Sequence, residues 1–296
     1  MVKVGEYSLS DLRVLRSQID ASINYVQEIG PGEALEARYV RRRPEYVACY
    51  ISCQTACRQS CKMCHLTFTG QNKPRDATRN EMYDQALRVL DSIPAGEQPS
   101  VVHYNFMARG EPLVSKVILE ESESLFMSLG RLAQSKGMFP RFLISSIIPA
   151  DLPRSFTDLF PIVQPEIYYS LYSMDPGFRR RWLPKAMDPG MALDMLTDWQ
   201  RQTKKIVRIH YALIEGENDR WDDVVDISVA VKKRGLRADF TLIQYNPPSD
   251  RHGKESDRYE KYIDIIQSIL GERTRTKIID RVGYDVAASC GTFIQV

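Results

Sequence analysis

A chain of 296 residues with 43% hydrophobic and 26% charged residues has the length and apolar content to bury a sizeable core, and its composition excludes a disordered or fibrous protein. Forty Lys and Arg against 38 Asp and Glu leave a formal net charge of +2, so overall charge carries no argument for a nucleic-acid partner. No window approaches the roughly 18 uninterrupted apolar residues of a membrane span, and MVKVGEYSLSDL lacks the apolar stretch of a signal peptide, so a cytoplasmic protein without a membrane partner is expected.

In chain order, an amphipathic helix is predicted over Leu9–Ile23, and Gly30-Pro31-Gly32 then breaks the chain. Residues 34–53 (ALEARYVRRRPEYVACYISC) read as two strands around a basic turn that contains Pro44. Apolar, strand-like runs follow at 100–107, 141–148, 166–172, 206–214 and 238–245, with helix-like segments near 78–92, 116–136, 189–203, 221–234 and 255–270. A last short strand is expected at 277–282, before the C-terminal tail. Strand–helix alternation predicts an α/β fold with a mainly parallel sheet: about six βα units, as a partial barrel or a doubly wound sheet. Residues 1–45 form an N-terminal extension in this reading and 46–296 the core. Sites in either architecture sit at the C-terminal ends of strands.

Five of the six cysteines crowd into residues 49–64, and in a reducing compartment such a cluster binds metal or does redox chemistry more often than it forms structural disulfides. Cys57, Cys61 and Cys64 have the spacing C-x3-C-x2-C, directly after the first strand of the alternating series. Three thiolates on one loop wrap one face of an iron–sulfur cluster and leave one iron open, because no fourth ligand is nearby. An open iron chelates the amino and carboxylate groups of S-adenosylmethionine (SAM). Structural zinc is the alternative, and it wants a fourth Cys or His at suitable spacing; His65 is badly placed to share a metal with Cys64. Two turns at strand ends complete the pattern. Gly110-Glu111-Pro112 offers a carboxylate to the SAM amino group, and Asn246-Pro247 offers a hydrogen-bonding amide.

The cysteine loop, the Gly-Glu-Pro turn, Ser170-Leu171-Tyr172, Asn246-Pro247 and the tail Asp285-Val286-Ala287-Ala288-Ser289-Cys290-Gly291 fall in the order seen in the RlmN/Cfr family of radical SAM RNA methyltransferases, which the chain resembles over roughly residues 33–296. The resemblance implies a radical SAM partial (β/α)6 barrel, here preceded by a short helix and a β-hairpin. It implies a 4Fe–4S cluster on Cys57, Cys61 and Cys64, and two SAM molecules per turnover. Gly110, Glu111, Ser145, Ser170, Leu171, Tyr172 and Asn246 would line SAM. Cys290 would take a methyl group from one SAM; a radical derived from the second would activate that methyl for addition to C2 or C8 of an adenine in RNA. A second cysteine would then form a disulfide with Cys290 and free the product. Cys49 is favoured for that role and Cys53 is the runner-up, because Glu36, which resembles the family's proton acceptor, stands thirteen residues before Cys49. The implied partners are rRNA or tRNA and an electron donor such as flavodoxin or ferredoxin. Three departures bear on the substrate. Few residues precede the hairpin where the family has an RNA-binding domain, Tyr172 stands where the family has His, and Ala108-Arg109 replaces a Gly-x pair. A free nucleotide or small metabolite is therefore the alternative substrate.

Overall fold

A computed structural model describes residues 12–296. Ten strands form one sheet in chain order: β1 (Leu12–Arg16), β2 (Ile23–Gly30), β3 (Glu33–Arg43), β4 (Tyr46–Tyr50), β5 (Val101–Phe106), β6 (Phe139–Ser146), β7 (Glu166–Tyr169), β8 (Val207–Ala212), β9 (Ala238–Ile243) and β10 (Thr276–Ile279). The first four strands run antiparallel, and every neighbouring pair from β4 to β10 is parallel. Parallel neighbours need a crossover. The crossovers carry α1 (His65–Phe68) and α2 (Arg79–Asp91), α3 (Lys116–Ser135), α4 (Phe156–Leu159), α5 (Pro176–Trp182) and α6 (Pro189–Thr203), α7 (Trp221–Lys233), and α8 (Tyr259–Leu270). This is the expected mixed α/β architecture with its run of βα units. No helix among the described residues is long and apolar enough to cross a membrane.

Local chemistry fixes the helix starts. Thr78 and Glu81 form a reciprocal capping box at α2, while Asp175 and Asp188 cap α5 and α6 ahead of a proline in the first turn. Side-chain alternation then sorts the two faces of the parallel strands. Tyr104 and Phe142 face the helices: the Tyr104 hydroxyl donates to the Leu129 carbonyl of α3 at 2.9 Å, and Phe142 stacks on Phe126 with ring centroids 4.5 Å apart. The opposite parity carries His103, Arg141, Glu166, Arg208 and Asp239, tied across the sheet by Arg141–Glu166, by Arg208–Glu166 at 3.2 Å and by Arg208–Asp239 at 2.7 Å.

The predicted N-terminal helix is overturned over its described part. Leu12–Arg16 is an edge strand that pairs antiparallel with β2, and residues 17–22 turn back through Ser17, Asp20 and Ser22; residues 9–11 of that prediction lie outside the described residues. The apolar spacing of a short segment fits either period, and a waiting strand edge decided the outcome. After β10 the tail returns to the start of the sheet, where the Asn24 amide donates to the Val286 carbonyl and Arg38 donates to the Ser289 carbonyl.

Candidate active site

The loop that follows β4 is held from several sides. Cys53 N–H donates to the Arg109 carbonyl, Cys57 N–H to the Gln71 carbonyl, and Lys62 N–H to the Trp182 carbonyl, at 2.9, 3.1 and 3.0 Å. Lys62 also lies over the Trp182 ring, 4.6 Å from its centroid. Cys57, Cys61 and Cys64 are free, partly accessible thiols. Burial pushes the Cys57 thiol up to about 12, with Cys64 adding to it, and the Cys61 thiol is raised by burial and then by Cys57 and Cys64. The three residues are partly accessible, while burial dominates the state of the Cys57 and Cys61 thiols, and these thiols sense their neighbours' charge. Among the described residues no three His, Cys, Asp or Glu side chains are placed to hold one metal ion. A cluster gives each thiolate its own iron, so the donor set fits an iron–sulfur group.

The Gly-Glu-Pro turn abuts this loop. Gly110 has φ +96°, and a β-carbon there would lie 2.7 Å from the Gln54 β-carbon, so only glycine allows the approach. Glu111 N–H donates to the Gln54 side chain, and the Glu111 carboxylate accepts from Leu113 N–H and Ile147 N–H at 3.0 and 3.3 Å. Burial raises that carboxyl to about 7 despite these bonds. The ends of the next strands adjoin it. Ser145 is 3.3 Å from His210 Nε2, Ser170 N–H donates to the Ser146 carbonyl at 2.8 Å, and Leu171 is fully buried. Tyr172 has a left-handed φ of +62°; burial raises its phenol, and the charges of Cys290 and Cys61 raise it further.

Cys290 is exposed, its thiol pushed up to about 11 by the protein around it. The tail lies directly against the cysteine loop, with His65 N–H donating to the Gly291 carbonyl at 3.0 Å. Asn246 donates to the Cys290 carbonyl at 2.8 Å and accepts from Arg281 at 2.7 Å, so its side chain holds the tail. The expected cluster cysteines, the Gly-Glu-Pro turn, the strand-end residues and Cys290 thus converge.

The two cysteines expected to resolve the intermediate are both buried. Cys49 pairs in register with Tyr104 and shares its helix-facing side; it is buried, and its thiol is raised by burial alone. Cys53 is buried too, and the charges it senses are those of Glu111 and Asp76. No disulfide is present among the described residues, and all six cysteines are free. The sequence held the warning, because Cys49 is in phase with Val47 and Ile51. Glu36 is completely buried, and its carboxyl is held below the usual range by Arg38 and Arg109 against the cost of burial. Arg38 and His210 were missed; Arg38 was hidden among the other charges of β3, and His210 sits in a largely apolar strand.

No family model matches the chain. It is 26% identical over 206 residues to a probable RNA methyltransferase of Pseudomonas paraeruginosa, covering 69% of this chain and 56% of that one. It is 23% identical over 294 residues to the dual-specificity RNA methyltransferase RlmN of Solidesulfovibrio magneticus, covering 98% of this chain and 80% of the relative. A radical SAM methyltransferase from Sphaerobacter thermophilus superposes with a TM-score of 0.73 at 21% identity, covering 95% of this chain and 81% of that structure, and so shares its fold. The ordered motifs thus gather at one end of a parallel sheet, in a chain similar to RNA methyltransferases of the RlmN type and sharing the fold of a radical SAM methyltransferase.

Proposed function

We propose that the chain is a radical SAM methyltransferase that adds a methyl group to a ring carbon of adenine in RNA, C2 in preference to C8, through a methyl carried on Cys290. The observation that carries the reading is the placement of an exposed cysteine beside the cluster loop, one residue from the Gly291 carbonyl that accepts from His65, the neighbour of Cys64. A purely structural cysteine has no need to be exposed there. The relatives are RNA methyltransferases, which supports the substrate class.

Cys57, Cys61 and Cys64 would hold a 4Fe–4S cluster, and Glu111 would pair with the ammonium of SAM, a cation that offsets the cost of ionising a buried carboxyl. When bound and reduced by a flavodoxin or ferredoxin, this pair supplies a 5′-deoxyadenosyl radical. Such chemistry is needed because C2 and C8 of adenine are electron-poor carbons that do not attack a sulfonium methyl as a nitrogen does. Ser145, Ser170, Leu171 and Tyr172 shape the cofactor's side of the cleft, and Asn246 holds the carrier loop over it. Cys290 takes one methyl from SAM and presents it to the adenine. Release through a second thiol requires a buried cysteine to move. Cys49, favoured for that role, is held in the ladder with Tyr39 and Tyr104, and Cys53, the alternative, lies outside it.

Anaerobically reconstituted protein incubated with SAM, reductant and total RNA tests the reading. Digested RNA should contain a carbon-methylated adenosine, and the Cys290 peptide should carry one added methyl. A Cys290→Ala variant that still methylates RNA overturns it. Brisk 5′-deoxyadenosine release with unmodified RNA transfers the activity to a free nucleotide or small metabolite.

A further inference from the structure

The strongest feature outside the cleft is a buried ionic group against the tail. Glu36 and Arg38 project from β3, two residues apart and so on one face, and Arg109 reaches them from the turn after β5. Glu36 Oε1 accepts from Arg109 Nε and Oε2 accepts from Arg38 Nη2, each at 2.9 Å, with none of the three side chains more than 2% exposed. Asn24 and the Ile294 N–H fill the remaining sites on the carboxylate at 3.0 and 2.9 Å. One carboxylate faces two guanidiniums, so a positive charge is left over. It is met by carbonyl oxygens: Arg109 donates to Thr55 at 2.9 Å and to Ile294, while Arg38 donates to Ser289 at 3.1 Å and Thr292 at 2.6 Å. The Phe293 ring lies 4.8 Å from the Arg38 guanidinium carbon.

Three consecutive carbonyls around the exposed thiol are therefore tied to three different parts of the fold. Ser289 is held by Arg38, Cys290 by Asn246 and Gly291 by the backbone of His65. A guanidinium is a rigid fork whose donors have fixed directions, so it dictates where its acceptors sit. With both of its neighbours' carbonyls and its own fixed, the backbone of Cys290 has one orientation.

We infer that Glu36, Arg38 and Arg109 are positioning residues that clamp the C-terminal tail and aim Cys290 at the reaction centre. The inference rests on Cys290 as methyl carrier. It gives Glu36 a different task from the proton acceptor implied by resemblance, since every lone pair direction on that carboxylate is taken by a donor.

Hydrogen exchange on the cluster-loaded protein tests the clamp without SAM or RNA. Arg109→Met leaves the neutral Glu36–Arg38 pair and removes the grip on Ile294; Phe293→Ala removes the ring and leaves all three charges in place, which guards against a variant that does not fold. In both, peptides spanning residues 286–296 should exchange about tenfold faster or more, from loss of a charged hydrogen bond in Arg109→Met and of the ring over the Arg38 guanidinium in Phe293→Ala, while peptides from β5–β9 keep their protection. Steady-state kinetics should show a lower kcat with KM for SAM unchanged, and Arg109→Lys should not rescue it because an ammonium cannot replace the fork. Glu36→Gln should loosen the tail as well. Tail exchange that is indifferent to Arg109→Met, Phe293→Ala and Glu36→Gln overturns the clamp, and Glu36→Gln that abolishes turnover without loosening the tail returns Glu36 to acid–base chemistry. A tail that loosens as expected in a protein whose Cys290 is never methylated leaves the clamp standing and removes the carrier reading.

Discussion

At the scale of single residues, two buried carboxylates have opposite histories. Glu111 is raised from an ordinary 4.5 to about 7 because burial outweighs the donors around it. The folded state then holds the proton more tightly than the unfolded one. Stability from this group is complete below pH 4.5 and is lost as pH rises through 7, a difference of roughly 3 kcal/mol. Urea unfolding of SAM-free protein should therefore show Glu111→Gln gaining on the wild type between pH 5 and pH 8, and a parallel pair of profiles would contradict the assignment. SAM acts in the other sense, since its ammonium favours the ionised carboxyl, so wild-type affinity should increase as pH passes 7 and Glu111→Gln should lose that dependence. Glu36 is depressed by Arg38 and Arg109. Its contribution is present above pH 4.5 and is lost as pH falls through its lowered folded value. Near pH 7, Glu36→Gln leaves two guanidiniums uncompensated, and breaking a buried pair in this way costs about 3–5 kcal/mol; denaturant midpoints at pH 7 and in acid should show the penalty shrinking as pH falls.

At the scale of elements, the turn after β5 and the cysteine loop act as one unit. In Gly110→Ala the new β-carbon would meet Gln54 at 2.7 Å at a φ of +96°, with backbone and side chain both in the way. The strain, about 1–3 kcal/mol, falls on the segment that leads to Cys57, so this variant should lose iron as well as stability. Gly32→Ala is the control: its φ is +70° but nothing lies within 4 Å, so it should be destabilised by about 1–2 kcal/mol and retain iron. Iron-to-protein ratios and melting temperatures measure both; equal iron loss in the two variants would detach the turn from the loop. The same scale shows what the sequence made legible. Strands β4 to β10 and the longer helices α2, α3, α6, α7 and α8 were readable because each is bounded by turn residues and keeps one period, whereas the short helices α1, α4 and α5 carry too few residues to show one. The cysteine loop was readable because its spacing is local. β1 and β2 were not: the five residues of β1 carry too little periodicity, no strand was expected over Ile23–Gly30, and pairing along the edge of β3 and then β2 supplied the deciding bonds. The orientation of Cys49 was legible in principle from its phase with Val47 and Ile51. The clamp was not: Arg109 lies 73 positions from Glu36, and only the closure of the fold brings them together.

At the scale of the whole molecule, the described fold keeps its strength and its chemistry in separate places. The parallel ladder and the aromatic layer of Tyr104, Phe126, Phe142 and Phe160 lie toward the helices, whereas the cysteine loop and the tail meet each other at the strand ends. The loop's main-chain bonds go to Arg109, Gln71 and Trp182, and the tail's to Asn24, Arg38, Asn246 and His65. Neither segment lends a strand to the sheet. Removal of the cluster by a chelator should therefore leave far-ultraviolet circular dichroism and the exchange protection of β5–β9 nearly unchanged, while three crowded thiols lose the cation that lets them ionise at neutral pH. The Gly291–His65 bond passes that change to the tail, so limited proteolysis of stripped protein should cut first within residues 57–70 and 283–296. Cooperative loss of the sheet on chelation would show instead that the iron site is part of the folding core.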